Sequence, residues 1–232
     1  CFRNVPGGDS LAAEILRELR YLRTPELPTT HLDLPAGGFE EYRRALRKTH
    51  PATEKNIAHE RNKGRRLGLE ISLVEHPGEQ RMELHQMMER HYQRLNRKPF
   101  PYGPEFFQEM ENRLPDSAWV YAARLEGELV GMQVMLAHGG TAHLPMIGFD
   151  EVKGRAASVY FNLGYNEPIA LCAAAGYRRI CFGRTHYGLK ARRGCRLEEL
   201  DTYLRPHSRM GRLVCGLFFP ARARLLEWRV AE

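Results

Sequence analysis

The sequence predicts a mixed α/β fold, an α+β arrangement in which helices flank a largely antiparallel sheet. Three observations carry this. Two apolar segments, 119–125 and 128–138, are joined by Glu126-Gly127, a glycine-containing two-residue loop of the kind that closes a β-hairpin. His138-Gly-Gly then turns into a third strand-like segment, 141–148. Helical periods precede this meander, and a long apolar helix and a short buried strand follow it.

In chain order, Asp9 is placed to cap a helix through Leu22, with Leu11, Ile15, Leu16 and Leu19 at helical spacing. Residues 31–34 alternate briefly as a strand, and 39–47 resume a helix. Thr53 caps a polar helix to about Leu67, with Gly68 as its C-terminal stop. Residues 69–75 read as a strand. A long helix then runs from His76-Pro-Gly to about Arg97, its stripe formed by Met82, Leu84, Met88, Tyr92 and Leu95. Phe106, Phe107 and Met110 mark a short helix before the meander. Pro145, inside the third strand, predicts an edge, a bulge or parted strands, because proline cannot donate to a ladder. The helix of 156–175 ends at Gly176, and 179–182 and 200–204 read as strands. Leu213, Leu217, Leu225 and Trp228 belong to a partly helical tail.

The chain has 232 residues, enough to bury a sizeable core. It begins at Cys1, and residues 1–38 are read as the tail of an upstream lobe, 39–205 as the main domain and 206–232 as the tail. No segment approaches the ~20 apolar residues of a membrane span. The five cysteines, at 1, 172, 181, 195 and 215, form no CxxC pair and suit reduced thiols of a cytoplasmic protein. Histidine and cysteine spacing predicts no metal site. Net charge is +7, of which residues 40–68 contribute +5 from nine Lys/Arg against four Glu. Such a stripe is either a solvated helix face or an attractor of phosphates on a coenzyme, RNA or another anionic polymer. Serine-hydrolase elbows, Walker loops, HExxH and full GxGxxG motifs are absent from the sequence.

Chemistry is concentrated in three segments. Residues 148–158, GFDEVKGRAAS, join the proline-containing strand to the next helix, and Lys153, Gly154, Arg155 and Ala156 present charge and close backbone approach to an anion. Glu151-Val-Lys-Gly-Arg-Ala resembles the acyl-CoA pyrophosphate motif of GNAT acetyltransferases, with Glu in the first position where Gln or Arg is usual. The second segment, SVYFNLGYNEP, sets Asn162 and Asn166 one turn apart on a buried helix, next to Glu167 and Pro168. Pro168 cannot bond the Gly164 carbonyl and kinks the helix. The asparagines either satisfy one another or contact a ligand. The third segment, GRTHYGLKARRG, follows a buried strand and carries His186, Tyr187, Lys190 and Arg193. A cation there would steady an oxyanion or bind phosphate.

Residues of about 39–205 resemble the FemAB-related, CelD-like branch of the GNAT acyltransferase superfamily. The resemblance rests on FEEYRRALRKTHPATEKNIAHERNKGRRLGLEI (39–71), PYGPEFFQEM (101–110), VYFNLGYNEPI (159–169) and FGRTHYGLKARRG (182–194). It implies a GNAT-like fold and transfer of an acetyl or aminoacyl group from acyl-CoA, such as acetyl-CoA, or from aminoacyl-tRNA. The acceptor would be an amine or hydroxyl on a small molecule or a cell-envelope precursor. By position it implicates Lys190. In the mechanism it suggests, Met146, Ile147 and Gly148 N–H groups with Lys190 hold the oxyanion, and Glu167, Tyr160 or Tyr187 relays the proton. Asn162, Asn166, Arg193 and His186 would hold substrate. The competing expectation is a non-catalytic module binding RNA or an anionic polymer through 43–66.

Overall fold

The computed structural model describes residues 1–7, 10–215 and 218–219. In chain order the elements begin β1 (Phe2–Pro6), α1 (Leu11–Glu18), β2 (Leu22–Asp33), α2 (Gly38–Thr49), α3 (Pro51–Arg66), β3 (Glu70–Leu73), α4 (Arg81–Asn96) and α5 (Glu105–Arg113). There follow β4 (Ala118–Leu125), β5 (Glu128–His138), β6 (Thr141–Phe149), α6 (Glu151–Ala156) and α7 (Val159–Phe161). A π-helical turn (Asn162–Asn166) leads to α8 (Glu167–Ala174), β7 (Arg179–Gly183), α9 (Tyr187–Arg192) and β8 (Arg196–Leu204). The fold is mixed α/β with mostly antiparallel strand pairing, as expected. Residues 209–215 are helical, whereas Leu217, Leu225 and Trp228 of the expected tail, and Asp9, lie outside the described residues.

The chain divides into two compact units, Cys1–Leu32 with Phe182–Glu232, and Asp33–Cys181. The boundaries read from sequence were 38 and 205. In the first unit β8 pairs antiparallel with β1 (Phe2↔Tyr203) and with β2 (Leu22↔Leu204 to His31↔Arg196). The expected helix to Leu22 stops at Glu18. Ser10 caps it by accepting from the Ala13 N–H at 3.2 Å, and Ala13 and Leu16 are its buried positions. Leu11, Ile15 and Leu19, which suggested a longer stripe, are exposed. The brief strand at 31–34 is the end of the twelve-residue β2. Pro25 and Pro28 hid this strand, and the register shifts between Glu26 and Thr29, around Pro28.

The second unit is an antiparallel meander in the order β3-β4-β5-β6, with β7 added parallel to β6. The hairpin is closed by Glu126 and Gly127, with φ of 51° and 80°, the left-handed pair of a type I′ turn. The helix before β3 starts at Pro51, not Thr53, because proline's fixed φ and missing N–H suit the first helical position. β5 is buried on both faces. Met132 and Val134 pack with Leu84, Met87, Met88 and Phe107 of α4 and α5. On the other side a Cβ at Gly131 would meet Val159 Cγ1 at 2.9 Å and Leu163 Cδ2 at 3.0 Å, so glycine lets the π-turn segment lie against the strand.

Pro145 marks a double irregularity. In the β5–β6 ladder Val134 faces Met146 and Leu136 faces His143, so Met135 is opposed by both Leu144 and Pro145, a β-bulge. The parallel register with β7 runs from Thr141↔Arg179 to His143↔Cys181 and ends there, two residues before Pro145. Of the three alternatives expected from the proline, the bulge lies on the β5 side, and on the other side the pairing with β7 stops before Pro145.

Candidate functional site

Within the second unit, chemistry gathers where α3 meets the π-turn. Pro168 has no N–H for the Gly164 carbonyl, and the Glu167 N–H donates five residues back to Asn162 O, so the turn widens instead of breaking. Asn162 and Asn166 project together from this turn, and both are buried. Asn166 Nδ2 donates to Glu60 Oε2 at 2.9 Å and to Asn162 Oδ1 at 3.0 Å. Asn162 Nδ2 donates to the carbonyls of Glu60 at 2.9 Å and Ala157 at 3.2 Å. The asparagines thus satisfy one another and tie α3 to the wide turn. Gly64 makes this approach possible, since a Cβ there would meet Asn162 Nδ2 at 2.7 Å.

One turn further, Arg61 Nε donates to Glu167 Oε1 at 3.2 Å, and the Arg61 guanidinium lies 4.8 Å from the centroid of the Phe39 ring. Tyr160 and Tyr165 hydroxyls are 3.3 Å apart. A cavity of about 260 Å³ opens beside this ion pair, lined by Arg61, Arg65, Asn162 and Glu167 against Leu69 and Ile71.

Met146, Ile147 and Gly148 pair with Val134, Gln133 and Met132 of β5. The buried Gln133 amide donates to the Met146 carbonyl at 2.7 Å and to the Val134 carbonyl at 2.9 Å, bracing the bulge. Just beyond, the Phe149 N–H donates to His91 Nδ1 at 3.4 Å, and burial holds that imidazole below its ordinary range. Residues 151–156, expected as a loop ahead of a helix starting near Ala156, form the helix α6. Asp150 drives the change by accepting from the Val152 and Lys153 N–H groups at 2.9 and 3.0 Å. Lys153 Nζ lies 2.5 Å from Glu128 Oε1, and Glu151 pairs with Arg94. Gly154 is buried against Val159, 3.0 Å from where a Cβ would sit, whereas Arg155 and Ala156 are exposed. The helix then breaks at Ser158, whose φ is 54°.

The first unit holds the third segment. Gly183, Thr185 and His186 all have positive φ, with Thr185 at 93°, a strained value for a β-branched residue. This tight turn delivers α9 so that Lys190 reaches back to the end of β7. Its Nζ donates to the carbonyls of Phe182 at 2.8 Å and Gly183 at 3.1 Å, and Thr30 Oγ1 also donates to Gly183 O at 2.7 Å. Lys190 is 3% exposed, and burial lowers its amine from 10.5 to about 8. The Tyr187 hydroxyl donates to the Pro28 carbonyl at 2.9 Å, and burial raises its pKa. His186 Nδ1 lies 3.2 Å from Thr185 Oγ1, and Arg193 is buried. Burial pushes the Cys172 and Cys195 thiols up to about 12, which opposes a thiolate role for either.

The matched sequence model decides the family. It is the acetyltransferase (GNAT) domain, and it covers residues 51–191. The chain belongs to this family. No curated protein matches the sequence of this GNAT chain. Among solved structures, it is similar to L-PGS from Bacillus licheniformis, with a TM-score of 0.61, 14% identity and coverage of 99% of this chain and 73% of that one. The C-terminal domain of a putative lysylphosphatidylglycerol synthetase from Agrobacterium fabrum gives 0.59, 14% identity, and 95% and 71% coverage. FemX gives 0.59, 11% identity, and 87% and 70% coverage. These likenesses establish the shared fold, and the FemAB-related resemblance agrees with them.

Of the sequence-read candidates, Glu167, Tyr160, Asn162, Asn166 and residues 146–156 lie in the GNAT chain's second unit, while Lys190, Tyr187, His186 and Arg193 lie in the first. Sequence reading missed Glu60, an acid on a strongly basic helix with nothing in its spacing to reveal Asn166. It also missed Glu26, buried in a strand that its prolines disguised, where it accepts from Thr202 Oγ1 at 2.8 Å.

Proposed function

We propose that this chain transfers an acyl group, acetyl or aminoacyl, from a CoA or tRNA carrier to an amine or hydroxyl acceptor. The observation that carries the reading is the parted strand. From Leu144 onward β6 has left its register with β7, and the bulge opposite Met135 turns its main chain further. The Ile147 N–H, which alternates away from the β5 ladder that takes the Met146 and Gly148 N–H groups, is the proposed oxyanion donor for a tetrahedral intermediate formed by direct attack on the carrier's carbonyl. Such a donor is worth roughly 2.7–4 kcal/mol in comparable sites. Lys190, a buried amine of the first unit lowered to about 8, is proposed to act electrostatically on a ligand bound to that unit. Glu167 is the proposed proton relay, because its carboxylate is held at the rim of the cavity.

The aminoacyl alternative draws support from the fold shared with FemX and with the C-terminal domain of a putative lysylphosphatidylglycerol synthetase. A cell-envelope precursor is one acceptor within this proposal. The RNA-binding alternative loses weight, because Arg43 and Arg47 pair with Glu54, and Arg61 with Glu167. Three cations of the basic stripe are thereby engaged within the fold.

Thermal-shift titration with acetyl-CoA, CoA and total tRNA tests the proposal, followed by a radiolabel transfer assay with whichever carrier binds. Stabilisation by a carrier and a more than tenfold loss of turnover in Lys190→Met support it. No response to any of the three carriers refutes it.

A further inference from the structure

We infer that the cavity between α3 and the π-turn binds a small zwitterion, a ligand bearing one carboxylate next to one amine, as at the backbone end of an amino acid. Several donors and acceptors of this lining remain after its internal hydrogen bonds are made. Arg61 uses Nε for Glu167 and stacks its plane near Phe39, so its four terminal N–H groups have no acceptor among the described residues. Arg65 gives one bond, from Nη2 to Asn62 Oδ1 at 3.2 Å, and keeps the rest of its fork. Glu167 accepts through Oε1, and Oε2 has no donor among the described residues. The buried Asn162 side chain beneath them is saturated by Glu60, Ala157 and Asn166 and serves as a fixed floor.

Two guanidiniums and one carboxylate set both signs of charge in one lining, as the paired opposite charges of a zwitterion require. A planar fork matches a carboxylate in two-point fashion. The carboxylate oxygen beside it supplies the acceptor that an ammonium group needs, and it would repel a doubly charged phosphate. The volume, about 260 Å³, is below the roughly 300–1,000 Å³ typical of drug-sized ligands and suits a small molecule. Leu69 and Ile71 offer an apolar wall to a side chain. The π-turn is the device that creates the arrangement, because the widened turn sets Glu167 opposite Arg61, and such turns recur at functional sites. This inference concerns binding and does not depend on the transfer reaction.

Calorimetric titration of the full chain with glycine, L-alanine, L-serine and L-lysine tests it, with acetate and ethylamine as half-ligands. Saturable binding of at least one amino acid is expected, with each half-ligand weaker by about tenfold or more. Arg61→Gln and Arg65→Gln should weaken amino acids and acetate alike. Glu167→Gln should weaken amino acids while acetate binding holds or strengthens, a pattern that general loosening of the fold does not produce. Absence of saturable heat from all four amino acids overturns the inference. So does amino-acid binding unchanged in arginine variants that melt like the wild type. Inorganic phosphate binding more tightly than acetate overturns it as well, and assigns the cavity to a phosphate instead.

Discussion

Replacing Lys190 by Met removes the buried amine and keeps most of the side chain's volume. Burial lowers the folded-state pKa of this amine to about 8, while the unfolded chain holds its proton up to the ordinary 10.5. Between those two values the unfolded state binds the extra proton, so the free energy of unfolding rises with pH across this window. At about 1.4 kcal/mol per pH unit the interval is worth on the order of 3 kcal/mol. Below pH 8 both states are protonated, and the wild type carries the full cost of the buried charge, offset by the two carbonyl hydrogen bonds to Phe182 and Gly183. Urea unfolding of wild type and Lys190→Met in steps through this window measures the effect. The difference in unfolding free energy should move in favour of the wild type by about 3 kcal/mol as pH rises. Other titrating groups are shared by both proteins and largely cancel in the difference. Parallel pH profiles through the window would show that the amine is not lowered, and would remove the electrostatic basis for assigning it a role.

Further outcomes follow from other contacts. Asn166→Asp places a carboxylate against Glu60 where an amide now donates, so it should lower the melting temperature more than Asn166→Ala, itself expected to cost about 1–3 kcal/mol. Gly131→Ala pushes a methyl to within 3.0 Å of Val159 and Leu163 side chains and should destabilise by roughly 1–3 kcal/mol in chemical denaturation. Arg47 and Arg43 hold the Glu54 carboxyl below its ordinary range. Its stabilisation is therefore complete above the unfolded-state value and lost as pH falls through the folded one. Glu54→Gln should lower stability at pH 7 and flatten this part of the acid limb, as read by melting temperature against pH.

What the sequence displayed was local. Glu126-Gly127 specified the hairpin because the turn's two left-handed positions depend on residues inside it. Pro145 announced the bulge because a missing donor acts wherever the strand is placed. Asn162, Asn166 and Pro168 signalled an unusual helix, since buried amides require partners and proline disrupts the normal bonding. The partners themselves were hidden. Glu60 is about a hundred positions from Asn166, and no spacing rule connects them. β2 was misread because Pro25 and Pro28 count against a strand, although pairing with β8 accommodates both. The segment 151–156 looked like a loop because of Gly154, yet that glycine serves contact with Val159, and capping by Asp150 starts the helix early. In the Lys190 segment, the residue types marked chemistry while their bonding depended on the far end of a strand.

The wide turn at Asn162–Asn166 also determines how the chain tolerates changes in length. An α-helix advances about 100° with each residue, so deleting one residue here to restore ordinary pitch would rotate the flanking segments against each other by that angle. Glu167 would then swing away from Arg61, or the asparagines would leave α3, even though every one of those side chains remained in the protein. Length at this point is a geometric setting of the molecule, which a single-codon deletion would undo with every other side chain still present.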